Sequence, residues 1–485
     1  MAGDPTDPRA TASPVALVPM ALLLCALSYG ADAQGAFYPG PFHVLVILVG
    51  AALVTTVGLR PLSSWAGPVA RDPLVLMALS LALVTVVSSA VAGQATDAVG
   101  TVTLLVTLAA AVAVVRALPA GPRALLVGGI VVIGVVVAAV GWLAVVARWQ
   151  PDALTSQGLW RAASTLTYEN ALAAFLTAPA LLCLDRVMTA KDRFPVVWSE
   201  ATYVLLVGIG ASLSRGGVLG LVFGIVVLAA LRGPRRLART GPPVVGAAVA
   251  LAGLAPSVPV DTTTHVALAV AGLVLGAGAA AWRRGSSVLV AGAVVVGVGV
   301  LGVVIAVVST GHVASEIADA RLSAASSDRA HEWTAALDVA RHHLLLGTGA
   351  ARVPLVWEVG GKIYTATFAH NEFLQLLAQD GVVGLGVLLV GLVAVFVSLW
   401  RRRGGDGAWS ADCAVACLVA LLVQSCLDFL WHIPVIPVLM AVVLALSTTP
   451  VVGVDGPVDA GAASRYAANE VSPEAGGGGD GTFSH

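Results

Sequence analysis

Long stretches without a charged side chain constrain this chain more than any other feature. "FHVLVILVGAALVTTVGL" from Phe42 and "ALLVGGIVVIGVVVAAVGWLAVVA" from Ala124 are two of them. A run of roughly 18 or more apolar residues is long enough to cross a bilayer as a helix, and a helix satisfies its own backbone polar groups where lipid offers none. About fourteen such runs lie between residues 14 and 448, the eleventh at 286–308. With 58% hydrophobic and 11% charged residues, little of the chain is left for soluble domains. The expected fold is therefore an all-α polytopic integral membrane protein of about 14 transmembrane helices.

The charge pattern orients and divides it. With the N-terminus inside, most of the Lys and Arg residues fall in alternate short loops, among them Arg232, Arg235, Arg236 and Arg239, and Arg401 to Arg403. Basic residues mark cytoplasmic loops. The reading that follows is an N-terminal membrane body over residues 1–308 (about eleven helices), an extracytoplasmic helical insert over 309–381, C-terminal membrane helices over 382–449 and a disordered cytoplasmic tail over 450–485. The first apolar run ends in Ala31-Asp32-Ala33, which mimics a signal-peptidase site, but it has one Arg against two Asp before it, so a retained helix is expected.

Inside the insert, "SSDRAHEWTAALDVARHH" reads as an amphipathic helix opened by Ser327 or Asp328, with Trp333, Ala336, Leu337, Ala340 and Leu344 on its apolar face. A second short helix begins near Asn371, with Leu374 and Leu377 on one face and Glu372, Gln375 and Gln379 on another, and leads through Gly381 into the next crossing.

Several signals carry little. Gly297, Gly299 and Gly302 spell G-x-G-x-x-G, but inside an apolar run with no preceding strand, where close helix packing explains them. No G-x-x-x-x-G-K-S/T loop is present, so ATP hydrolysis is not expected. Cys25, Cys183, Cys413, Cys417 and Cys426 all fall in apolar runs and complete no metal set. The net charge of -1 gives no reason to expect nucleic acid. No cofactor and no metal are expected.

The ionisable groups of interest sit in or beside the insert. His342 and His343 read as solvated surface. His370 differs, because Asn371 and Glu372 adjoin it at the entrance of a membrane helix, and imidazole is the side chain that exchanges a proton near neutral pH. Arg215 in "LSRGGVLG" interrupts two apolar runs at their outer ends, where it either snorkels or meets an anion. Two arginines converging from separate segments, Arg215 and Arg329, would make a diphosphate clamp.

Together "LSRGGVLGLVFGIVVL", "DRAHEWTAALDVARHHLLLGTGAA" and "AHNEFLQLLAQDGVVGLGVLLVGL" resemble the O-antigen ligase and polymerase family of bacterial envelopes, and "TLTYENALAAFL" and "SCLDFLWHIPVIPVLM" extend the likeness over roughly 160–445. The chain departs from the family pattern at Leu344, where Pro is frequent, and at Glu169. The resemblance implies a fold similar to class C membrane glycosyltransferases and transfer of a glycan from a polyprenyl-diphosphate carrier to an acceptor hydroxyl, on a glycan or lipid-glycan, at the outer face of the cytoplasmic membrane. It implies His370 as base or acceptor-positioning group, Arg215 and Arg329 on the donor diphosphate, and Asn371, Glu372 and Arg341 in support. Ligase and polymerase remain alternatives, because they share a donor. The rival class is a polytopic transporter or flippase of an envelope precursor, which more usually places ionisable groups in mid-span.

The orientation is testable by labelling. In a background lacking native cysteines, Ser326→Cys should react with an impermeant thiol reagent from outside and Gly404→Cys only after permeabilisation. The opposite pattern would reverse the orientation.

Overall fold

The computed structural model describes residues 17–189, 195–282, 327–351, 354–403 and 410–447. Among these, eight helices are long and apolar enough to cross a membrane, and five shorter apolar helices of 10–17 residues accompany them. The protein is thus a mostly helical, multi-pass membrane protein. The expected run at 286–308, the glycines of Gly297 to Gly302, His312 and the C-terminal tail lie outside the described residues.

The bundle is built around α6 (Glu169–Thr189), whose residues are nearly all buried. It packs against α5 (Ala120–Ala147), α7 (Pro195–Ala211), α8 (Arg215–Arg232), α13 (Ala411–Ser425) and α14 (Val435–Leu446). The first helix, α1 (Val18–Asp32), buries Leu23, Ala26 and Leu27 against α2 (Pro39–Leu59) and α5. Further out, α3 (Pro73–Val91) and α4 (Ala98–Ala117) pair with each other, and α9 (Gly241–Leu254) lies on α10 (Val266–Ala280). Cys183, Cys413 and Cys417 are buried packing residues.

The two ends of the bundle differ in chemistry. At one end Asp185 and Asp412 hold Arg232 at 2.8 and 3.4 Å, and Asp412 also takes Arg403 at 2.6 Å. At the opposite ends of those same helices, Asn170, Arg215 and Gln424 line one pocket with Arg329 of the insert.

The insert contains more than helix. After α11 (Ser327–His342) a hairpin pairs β3 (Leu355–Val359) with β4 (Lys362–Ala366), and another, β1 (Ala153–Ser156) with β2 (Leu159–Ala162), closes the α5–α6 connection. The sequence reading of a helical insert is corrected here. Val356, Ile363 and Tyr364 favour strand, and Gly360 and Gly361, at φ 57° and 76°, make the tight turn that joins them.

The insert joins the bundle through α12 (Glu372–Arg401), which is broken at Gly381 (φ 64°, ψ -166°). The break leaves backbone groups without helical partners, and the preceding turn supplies them. Val382 and Val383 donate to the carbonyls of Leu344 and Leu345 at 2.9 and 3.3 Å, while Thr348 and Gly349 donate to those of Ala378 and Gln379 at 3.0 and 2.8 Å. Non-helical backbone buried away from water needs such partners. A Cβ at Gly381 would collide with the Leu345 backbone, whereas one at Gly386, on the same helix, meets nothing within 4 Å. Gly381→Ala should therefore lower the melting temperature in detergent markedly, and Gly386→Ala should leave it unchanged or slightly raised, since Ala favours helix over Gly by about 1 kcal/mol. Equal behaviour of the two variants would remove the splice from this account.

Candidate functional site

The site is assembled where the hairpin β1–β2, the starts of α6 and α8, the insert and the α13–α14 connection come together. Its first anchor is Arg161 on β2. The Arg161 guanidinium is buried, forms an ion pair with Glu169, donates through Nε to the Ser212 carbonyl at 3.0 Å, and reaches Asn170 Oδ1 at 3.3 Å and the Leu213 carbonyl at 3.4 Å. Burial pulls this guanidinium below its ordinary range, and Glu169 opposes the shift. Glu169, a departure from the family pattern, is thus the counterion of an arginine that braces the turn before α8.

That turn delivers Arg215. Ser214 caps α8 by accepting from the Gly217 N–H at 3.1 Å, which makes Arg215 the first helical residue, exposed at its tip. Gly217 is needed because any Cβ there would strike Ala173 of α6. Arg329, partly buried on α11, reaches the same place. Arg161, Arg215 and Arg329 line one polar pocket of about 150 Å³ together with Asn170, Gln424 and Asp428.

Asp428 is the hub of that pocket. The Tyr168 hydroxyl donates to it, 2.8 Å from either carboxylate oxygen, and Asn170 Nδ2 donates to Oδ2. Burial raises Asp428 above the usual carboxylate range, against the pull of His370, of the hydrogen bonds from Tyr168 and Phe429, and of Arg329. Next in the chain, Phe429 stacks between Tyr168 (5.3 Å) and Phe368 (4.7 Å) and meets the edge of the His370 ring at 5.0 Å.

His370 sits at φ 45°, a left-handed conformation unusual for a residue with a side chain. Its neighbours hold it there: Gln375 Oε1 accepts from the Ala369 N–H at 3.0 Å, and Asn371 caps α12 by accepting from Phe373 and Leu374, both at 3.1 Å. The carboxylate beside the imidazole is Glu332, whose Oε2 lies 2.7 Å from Nδ1. Glu372, adjacent in sequence, turns away. It accepts from the Trp431 N–H and lies 3.3 Å from His432 Nδ1.

The face expected of α11 holds for Ala336 and Ala340 and fails for Leu337 and Leu344. Glu332, Ala336 and Ala340 form the buried stripe of α11, while Leu337 and Leu344 are exposed. On α12, Glu372, Gln375 and Asp380 face inward. Arg341 is exposed on the last turn of α11, about 18 Å along the helix from Arg329. His331 stacks near Trp357 at 6.4 Å, and His342 is exposed.

Behind the polar pocket lies a much larger apolar cavity of about 790 Å³. Residues 428–432 separate the two: Asp428 and Leu430 line the polar pocket, and Trp431 and His432 the apolar cavity, with Phe368, Leu81, Leu108 and Leu392 around it. Among the described residues, no group of three or more His, Cys, Asp or Glu gathers as a metal site would. The arrangement offers cations to an oligo-anion, a carboxylate-paired imidazole beside them, and apolar space one wall away.

Arg161, Asp428 and Glu332 are site residues that the sequence does not announce. Arg161 carries a weak signal, as a basic residue outside the Arg-rich loops, and Asp428 lies in the "SCLDFLWHIPVIPVLM" segment.

No curated protein matches the chain. The family model described as O-antigen ligase matches residues 260–389, a stretch that contains Arg329, Glu332 and His370 but neither Arg215 nor Asp428. Over that stretch the chain is similar to the O-antigen ligase family, and this match together with the membrane helices supports an O-antigen ligase/polymerase-like membrane protein.

Proposed function

We propose that the protein transfers a glycan from a polyprenyl-diphosphate carrier to an acceptor hydroxyl, as a ligase or a polymerase, at the outer face of the cytoplasmic membrane. The observation that carries this reading is the convergence of Arg215 and Arg329 on one polar pocket that shares a wall with the apolar cavity. A lipid diphosphate has the matching two parts. Its charged head suits guanidinium forks, and its hydrocarbon tail suits the apolar cavity.

In the reaction the acceptor oxygen attacks the first carbon of the donor sugar. The bond from that carbon to the diphosphate oxygen breaks, and its electron pair leaves on the diphosphate. Arg215 and Arg329 stabilise that charge, with no metal needed for the purpose, while Arg161 keeps the α8 turn in place. His370 takes the acceptor's proton. With Nδ1 hydrogen-bonded to Glu332, the nitrogen left to do so is Nε2.

Two sets of variants test the roles. Arg215→Ala and Arg329→Ala should lose transfer by roughly 10²-fold or more, and Lys at either position should restore part of it, because charge returns without the fork. His370→Ala should insert and fold normally, bind donor, and lose roughly 10²-fold or more in transfer. Wild-type transfer per folded molecule by Arg329→Ala or His370→Ala would remove that residue from the mechanism.

A further inference from the structure

We propose that Glu332 is a positioning residue for this reaction: its carboxylate selects the Nδ1–H tautomer of His370 and directs an unprotonated Nε2 toward the acceptor hydroxyl. The proposal rests on the reading of His370 as the base.

Three observations carry it. First, the contact is close and sheltered, with 2.7 Å between Nδ1 and Oε2 and side-chain exposures of 29% for His370 and 8% for Glu332. Second, Glu332 occupies the buried stripe of α11 in line with Ala336 and Ala340. An apolar side chain would fill that position at no desolvation cost, whereas a buried carboxylate is costly unless a partner compensates it. Third, the backbone of His370 is held without Glu332, by the Gln375 bond to Ala369 and by the Asn371 cap. What those bonds leave open is the rotation of the ring and the placement of its proton, and these are what Glu332 fixes.

The pairing also joins the two halves of the site. Arg329 and Glu332 are three residues apart on one helix and so share a face, which means α11 carries a pocket arginine and the histidine's partner together. Among the described residues, Glu332 from α11 and Asp428 from the α13–α14 connection lie beside the imidazole, Arg329 acts on the Asp428 carboxylate, and Phe429 meets the ring in a T-shaped contact. As the acceptor oxygen bonds to the sugar carbon and the diphosphate departs, the acceptor proton moves to Nε2. The imidazolium then keeps its Nδ1–H on the Glu332 carboxylate and releases the Nε2 proton to solvent. No oxidant or further reactant is involved.

The test compares Glu332→Gln, Glu332→Asp, His370→Ala and the Glu332→Gln/His370→Ala pair of the full chain. Each is assayed in permeabilised membranes of the producing cell, whose own lipid-linked glycan is the donor, with rates normalised to folded protein. An amide presents a donor or an acceptor and no longer selects the tautomer, so Glu332→Gln should lower the rate at saturating donor by about 10- to 100-fold with donor KM within about twofold. Glu332→Asp, which retains the carboxylate, should recover part of the loss. The double variant should be no worse than His370→Ala alone. If His370→Ala is inactive while Glu332→Gln keeps the wild-type rate, or loses activity only with folded protein, the positioning role is wrong and the base survives. If His370→Ala transfers normally, the base reading fails and this proposal with it.

Discussion

The break in α12 at Gly381 is the constraint on which the insert and the site beside it depend. A straight helix from Glu372 to Arg401 would carry its first turns on the line of the membrane span. The left-handed residue turns them onto the bundle, and the Leu344–Gly349 turn hydrogen-bonds both sides of the gap. This splice fixes α11 relative to α12, and with it Glu332 relative to His370. The same short helix brings Glu372 to the Trp431 backbone and so secures the wall between the polar pocket and the apolar cavity.

Much of the membrane architecture was legible because lipid imposes a simple rule, long apolar runs without charge. Arg215 and His370 stand out in the sequence because a cation or an imidazole at the edge of such a run is conspicuous, whereas Arg329 enters through the family resemblance, and the structure brings Arg215 and Arg329 to one pocket. What the sequence hid was direction. Periodicity separates the faces of α11 and α12 but does not say which of them points to the site. In a bundle that encloses a polar site, Glu332, Glu372 and Gln375 are the inward residues and Leu337 and Leu344 the exposed ones. The partner of His370 could not be read from adjacency either, because Glu332 lies 38 positions upstream and meets it only through the splice. Arg161 was hidden in a hairpin whose Gln157-Gly158 turn is a weak signal among helices.

The departure at Glu169 has a physical reading as well. A carboxylate at the start of the most buried helix stands opposite Arg161, and that guanidinium in turn holds the carbonyls of the turn that launches Arg215. One arginine is thereby committed to structure, which leaves Arg215 and Arg329 as the residues assigned to the donor. Asp428, shared by Tyr168 and Asn170, ties the same helix to the wall beside His370.

The central claim is that the site performs chemistry on a lipid-linked glycan, where the rival class would move it across the membrane. The most direct measurement uses the purified protein in sealed vesicles, with the producing cell's polyprenyl-diphosphate-linked glycan confined to the leaflet facing the insert, a hydroxyl-bearing glycan acceptor on that side, and a metal chelator present. The account predicts glycosylated acceptor and free polyprenyl diphosphate in equal amounts, with both abolished by His370→Ala. Intact lipid-linked glycan appearing in the opposite leaflet, with no glycosylated acceptor, would contradict it.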